Sequence, residues 1–96
     1  MGDTNYIGGI VKVLETPKQK NFKDNIPLTE FRAQFPQSRG NRIIHLVFWG
    51  KLASDVVNYY QTNDYILIEG YLSTIQQKPS KKVQVTVLKV FPFVLG

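Results

Sequence analysis

The sequence contains no cysteine and only one histidine, one methionine and one tryptophan among its 96 residues. Without cysteine the chain forms neither disulfides nor thiolate nucleophiles nor thiolate metal sites, a composition that fits a reducing compartment. His45 has no carboxylate pair or metal-ligand cluster around it in the sequence, and no glycine loop has the spacing that cradles phosphates. We therefore predict a protein that is not an enzyme and holds no metal or cofactor.

Long apolar runs are also missing. No segment approaches the ~18 apolar residues of a membrane span, and residues 1–5 (MGDTN) have neither the basic nor the apolar region of a signal peptide. No internal repeat is present, and every Pro or Gly cluster falls between apolar runs. The sequence predicts one domain over residues 1–96 that is not an integral membrane protein.

The charge of the chain is predominantly positive. Twelve Lys and Arg outnumber seven Asp and Glu, which gives a net charge of +5. This excess favours a polyanionic partner, although many basic domains bind no nucleic acid. A domain of this length buries only about 60–65% of its unfolded surface, so we also expect a homo-oligomer, either a dimer or a tetramer.

Alternating apolar and polar residues predict five strands, at residues 6–14, 28–35, 42–49, 65–73 and 82–90. The second strand packs Thr29, Phe31, Ala33 and Phe35 on one face, whereas the third carries apolar groups on both faces. Gly8 and Gly9 are expected to mark a bulge or a sharp bend in the first strand.

Between the third and fourth strands the period changes. Leu52, Val56, Val57 and Tyr60 fall on one face of a helix predicted over residues 51–61. The polar, lysine-rich residues 15–25 are predicted to form a mobile connection. Three strands, a helix and two strands is the order of an all-β, five-stranded OB-fold, a Greek-key barrel whose second and third strands commonly bind oligonucleotides.

Two motifs carry a resemblance to a known family. Residues 48–53 (FWGKLA) and residues 65–72 (YILIEGYL), separated by one helix length, resemble the central signature of single-stranded DNA-binding proteins. Residues 5–17 and 82–90 resemble the family's first and last strands more weakly. The resemblance implies sequence-tolerant binding of single-stranded DNA, with RNA as an alternative, and the family's role in DNA replication. The short chain resembles members from cyanobacteria and plastids.

The resemblance also implies site residues. Trp49 stands where the family has an aromatic ring that stacks on a base, and Lys51 where it has a lysine near the phosphate backbone. Without the resemblance, Trp49 would fit equally well as a side chain that fills the end of the barrel. Further candidates on the same face, in the adjoining loops or in the groove are Arg32, Arg39, Arg42, His45, Tyr71, Lys81 and Lys82.

The sequence departs from the family at several positions. Ile43 and Gln77 stand where aromatic base-stacking residues are usual, and Ile44 stands where a histidine helps many members to form tetramers. The last residues (FPFVLG) are apolar, and no Gly/Pro/Gln-rich linker or acidic tip follows them, so recruitment of partners in the family's usual way is not expected.

These departures leave a rival interpretation open. In it the protein is an OB module that has lost strong DNA binding and docks on a larger complex through its apolar C-terminus or an edge strand. The C-terminus either closes the barrel or forms an exposed patch. If the subgroup resemblance holds, the setting is the cytoplasm of a cyanobacterium or the plastid stroma, and that complex would lie at a thylakoid surface.

Overall fold

The computed structural model describes residues 5–36, 42–76 and 81–94, without the side chains of residues 75, 76 and 81. Within these ranges the chain forms six strands, one α-helix and a short 3₁₀ turn. The elements are β1 Tyr6–Val13, β2 Gln19–Phe22, the 3₁₀ turn Lys23–Asn25, β3 Ile26–Phe35, β4 Arg42–Trp49, α1 Lys51–Tyr59, β5 Tyr65–Gln76 and β6 Lys81–Pro92.

The strands form one sheet that closes on itself. Its order is β1-β5-β6-β4-β3-β2, and β1 also pairs with β3. The β4–β6 pairing is parallel and the other pairings are antiparallel. Five strands therefore form a closed ring, and β2 lies outside it along β3.

The predicted strand count was wrong by one. Residues 15–25, interpreted as a mobile connection, contain β2 and the 3₁₀ turn, so the structure has six strands and its helix follows the fourth strand instead of the third. Asp24 and Asn25 have φ values of 59° and 61°. Asp and Asn tolerate this left-handed conformation, which tight hairpin turns require, and the turn brings β2 back against β3.

The bulge expected at Gly8 and Gly9 is absent. Both residues pair with β5 in an unbroken register, opposite Glu69 and Ile68. Gly9 instead makes room for a neighbour, because a Cβ there would lie 3.2 Å from Cε1 of Phe35. The register shift lies between Glu69 and Gly70 in the β5–β6 pairing.

The core fills the inside of the ring. The rings of Phe31 and Phe48 stack at its centre, with centroids 5.3 Å apart. Helix α1 packs Ala53 and Val56 into the core, while Leu52, Val57 and Tyr60 are only partly buried against it. The buried Oγ1 of Thr29 donates a 2.8 Å hydrogen bond to the carbonyl oxygen of Ala53, which ties the helix to β3.

The register shift in β5 generates a stability prediction. A Cβ at Gly70 would lie 2.9 Å from both Thr86 C and Val87 Cα, which are backbone atoms that cannot move aside easily. We expect Gly70→Ala to lower the free energy of unfolding by about 1–3 kcal/mol, measured by denaturant titration.

Gly8→Ala is the matched control for this substitution. Its Cβ would meet a flexible side-chain atom, Cγ of Glu69, at 3.3 Å, and we expect a cost of about 0.5 kcal/mol or less. Equal effects of the two substitutions would contradict the close approach of β5 and β6 at Gly70.

Candidate nucleic-acid interface

A continuous outer face runs across β3, β4 and β6. Side chains alternate along a strand, so the residues between the buried Ile44, Leu46 and Phe48 point away from the core. The strand registers align Arg32 with His45 and His45 with Gln84, and align Leu28 with Trp49. We call this surface the outer face; its members are Leu28, Glu30, Arg32, Ile43, His45, Val47, Trp49, Lys82, Gln84 and Thr86.

Trp49 lies at one end of the outer face and is not a core residue. Its side chain is 41% exposed, so the alternative that it fills the barrel does not hold. Its ring meets the ring of Phe22 edge to face, with centroids 5.5 Å apart and an interplanar angle of 85°. The second expected aromatic position, Ile43, is also exposed but offers no ring.

Phe22, which contacts Trp49, is not among the site residues predicted from the sequence. It is the only aromatic residue between positions 15 and 30, and it stands directly before the 3₁₀ turn that ends β2. That isolated ring, followed by an Asp-Asn pair, was the available signal for a hairpin that presents an aromatic side chain.

Lys51 begins α1 directly after the turn that follows Trp49. The turn depends on Gly50, whose φ of +65° is favoured by glycine. Its amide donates a 2.9 Å hydrogen bond to the carbonyl oxygen of Pro27. Nζ of Lys51 lies 3.0 Å from Oδ2 of Asp55, and this hydrogen bond is the main cause of a raised pKa of Lys51. Lys51 is thus a fully charged, exposed cation beside Trp49.

Arg32 lies on the outer face but has a protein carboxylate as its partner. Oε2 of Glu15 accepts hydrogen bonds from the backbone N–H of Arg32 at 2.7 Å and from its Nε at 3.2 Å. The backbone bond is the main cause that lowers the pKa of Glu15. Glu15 therefore stays ionised and holds the guanidinium against the strand.

His45 is half-buried between charged neighbours. Burial first, and then the positive charge of Lys82, lower the pKa of His45 below its ordinary value of 6.5, although Glu15 and Glu30 oppose the shift. The imidazole is therefore neutral at pH 7. Lys82 is close enough to His45 to affect its titration, which agrees with its place on the outer face.

The remaining candidates are more dispersed. Arg42 is exposed at the start of β4, but alternation puts it on the side of Ile44 and not with His45. Arg39 lies outside the described residues. The backbone of Lys81 begins β6, and its side chain lies outside the described part.

Tyr71 belongs to a different cluster. The registers place it opposite Thr86 of β6, which in turn lies opposite Val47 of β4. Adjacent strands are about 4.8 Å apart, so Tyr71 is about 10 Å from β4. Its ring meets Tyr6 edge to face at 5.2 Å, and Oη of Tyr6 donates a 2.7 Å hydrogen bond to Oε1 of Glu69. The structure therefore does not bring Tyr71 next to Trp49.

The apolar C-terminal segment extends the barrel. Phe91 and Pro92 continue β6 opposite Leu67 and Ile66, and the Phe93 amide donates to the carbonyl oxygen of Tyr65 at 3.1 Å. Phe91 and Val94 nevertheless stay exposed, so the segment both pairs with β5 and presents apolar surface. A groove of about 440 Å³ beside it is lined by Leu52, Asp55, Tyr59, Tyr60, Val90 and Pro92.

Two further observations bear on the class of protein. Among residues 5–36, 42–76 and 81–94, no group of three or more His, Cys, Asp or Glu side chains is placed to hold a metal ion. No helix in these same ranges is long and apolar enough to cross a membrane.

Comparison with solved structures finds the same architecture in single-stranded DNA-binding proteins. The SSB domain of a Synechococcus protein superposes with a TM-score of 0.79 at 26% identity, covering 94% of this chain and 97% of that one. A small single-stranded DNA-binding protein of Streptomyces coelicolor gives a TM-score of 0.80 at 13% identity, covering 93% and 92%. The second single-stranded DNA-binding protein of Mycobacterium smegmatis gives 0.78 at 22%, covering 92% and 87%. The last two likenesses concern the fold alone.

Comparison of sequences identifies the family. No protein-family profile matches the chain. The protein ycf41 of Trieres chinensis, which bears the provisional name of a single-stranded DNA-binding protein, is 36% identical over an alignment of 102 positions that covers 95% of this chain and 90% of that protein. With this identity over nearly the whole length, and with the motifs at residues 48–53 and 65–72, the chain belongs to the single-stranded DNA-binding protein family.

Proposed function

We propose that the protein binds single-stranded DNA with little sequence preference along the outer face of β3 and β4. The observation that carries this proposal is Trp49, an exposed aromatic ring at the end of a barrel strand and two residues from the exposed cation Lys51. An aromatic ring stacks on any base, and neighbouring cations neutralise phosphates, so this pair binds a single strand without selecting its sequence. The names of the relatives agree with this function.

The other candidate residues have defined roles in the proposal. Trp49 stacks on a base, and His45 contacts the strand farther along the outer face. Tyr71 offers a second aromatic contact two strands away. The cations that contact phosphates in the proposal are Lys51, Arg32, Arg39, Lys81 and Lys82. Arg42 is left out, because alternation puts it on the other side of β4. Binding through base stacking and phosphate contacts also accepts RNA, because it needs no contact with the ribose 2′ position.

Ion pairs within the protein limit the strength of this binding. Glu15 holds Arg32, and Asp55 holds Lys51. A phosphate must therefore compete with a carboxylate for each cation. We expect moderate affinity with a marked dependence on salt.

The wider setting follows the family. We propose a homo-oligomer, supported by exposed apolar side chains on β1 and β6, namely Tyr6 and Leu88. A setting in a cyanobacterium or a plastid is supported by the relatives from Trieres chinensis and Synechococcus, and a non-enzymatic role in DNA replication is what the resemblance to the family implies. Nothing in the names of these relatives favours docking on a thylakoid complex.

Loss of the ring at Trp49 tests the proposal directly. We expect Trp49→Ala to weaken binding to a labelled oligo-dT of about 20 nucleotides by about 1–3 kcal/mol, the cost of one stacked base, as measured by fluorescence anisotropy. Phe91→Ala is the matched control, because Phe91 is 48% exposed but lies near the end of β6, opposite Leu67 of β5. A folded Trp49→Ala variant with wild-type affinity would remove Trp49 from the site.

Removal of the carboxylate at Glu15 tests the competition for Arg32. We expect Glu15→Gln to tighten binding to oligo-dT and to steepen the slope of log affinity against log salt by about 0.7, the contribution of one additional phosphate contact to a single strand. Glu69→Gln makes the same charge change beside Tyr6, on another side of the barrel. Equal effects of both variants would mean that only net charge matters.

Acidification tests the place of His45. Its folded pKa lies below 6.5, so the ring gains a positive charge only when the pH falls below that value. We expect affinity for oligo-dT to rise as the pH is lowered from 7 to about 5, because an added cation on the outer face attracts phosphates. In His45→Gln part of this rise should be lost, and an unchanged pH profile would place the strand away from His45.

A further inference from the structure

The hairpin formed by β2 and β3 builds a surface of its own beside Trp49. Phe22 pairs with Ile26, and Lys20 pairs with Leu28, which itself lies opposite Trp49 in β4. Alternation therefore puts Phe22, Ile26, Leu28 and Trp49 on the same side of the sheet. We call these four residues the apolar corner.

The apolar corner is open to solvent. Phe22 is 48% exposed, Ile26 is 43% exposed and Trp49 is 41% exposed, whereas Leu28, on the same side of the sheet, is only 7% exposed. The two rings stand nearly perpendicular, at 85°. A flat aromatic group that stacks on one ring is perpendicular to the other and can contact it edge to face, an arrangement that aromatic groups favour.

Packing within the barrel does not account for Phe22. All four residues of β2 are exposed, and Phe22 is not part of the core cluster. Its neighbours along the chain include Lys20 and Lys23, and Lys51 follows Trp49 by two positions. The apolar corner is thus an exposed aromatic surface among cations, the combination that binds unpaired bases and their phosphates.

We propose that Phe22 is a second base-stacking residue, which forms one binding site with Trp49 for an unpaired nucleobase of the single strand. The ring at Phe22 supplies a contact that Ile43 lacks, and it reaches Trp49 only because the hairpin folds back on β3. This inference rests on the proposed function and assigns one further residue to the same site.

Three variants of exposed phenylalanines test the assignment. Phe22→Leu removes the ring but keeps an apolar side chain, Phe22→Tyr keeps the ring, and Phe91→Leu makes the same change at a phenylalanine that is also 48% exposed but lies on β6. Each folded variant is titrated with labelled oligo-dT and with an abasic oligomer of the same length, which has the phosphates but no bases.

Stacking predicts a specific pattern. Phe22→Leu should lose affinity for oligo-dT by about 5- to 150-fold, the loss that corresponds to one stacked base. Phe22→Tyr and Phe91→Leu should stay within about twofold of the wild type, a change well below that loss. Binding of the abasic oligomer should be the same in all four proteins, because the phosphate contacts are unchanged.

The contrary results separate the inference from the function on which it rests. If the wild type does not bind oligo-dT, the proposed function and the inference are both overturned. If the wild type binds and Phe22→Leu keeps its affinity, the function stands, and Phe22 only covers Trp49. If Phe22→Leu loses affinity for oligo-dT and the abasic oligomer equally, the ring acts on the hairpin and not on a base, which also overturns the inference.

Discussion

The closure of the sheet by β1 is the constraint on which the rest of the structure depends. From Tyr6 to Lys12 this strand pairs with β5, and at Lys12 and Val13 it also pairs with β3. Only the pairing of β1 with β3 closes the ring of five strands, and the ring of Phe35 in β3 then lies close to Gly9 in β1. Closure separates an apolar inside from a curved outside, and therefore turns the alternate residues of β3 and β4 away from the core, with Ile43 and Trp49 exposed and Leu28 and Val47 buried.

The outer face and the residues beside it combine exposed aromatic rings with cations that already have carboxylate partners. Three lysine or arginine side chains of β2, β3 and α1 lie within 3.8 Å of a carboxylate oxygen: Lys20 of Glu30, Arg32 of Glu15 and Lys51 of Asp55. The net charge of +5 therefore overstates the positive charge available to a strand at this surface. Exposed ion pairs are weak, so a polyanion can exchange for them. In the proposed mode of binding, the aromatic rings supply the part of the affinity that salt does not screen.

Local patterns predicted most of the fold, because they depend on residues close in sequence. The alternation of residues predicted β4 with its observed bounds, 42–49. The change of period predicted α1 at residues 51–61, and the helix ends two residues earlier, at Tyr59. The hairpin was missed because the four residues of β2 are all exposed and show no alternation. The motif resemblance singled out Trp49 as a candidate, and the structure shows that its ring is exposed. Its contact with Phe22 depends on the turn at Asp24 and Asn25 and on strand register, neither of which appears as a periodic pattern.

The most direct test of the central claim follows the fluorescence of Trp49, the single tryptophan, while the unmodified protein is titrated with oligo-dT at two salt concentrations. If the single strand lies on the outer face, the fluorescence should be quenched to saturation, and the affinity should fall steeply at the higher salt concentration. Binding without any change in tryptophan fluorescence, or no binding even at low salt, would contradict the account.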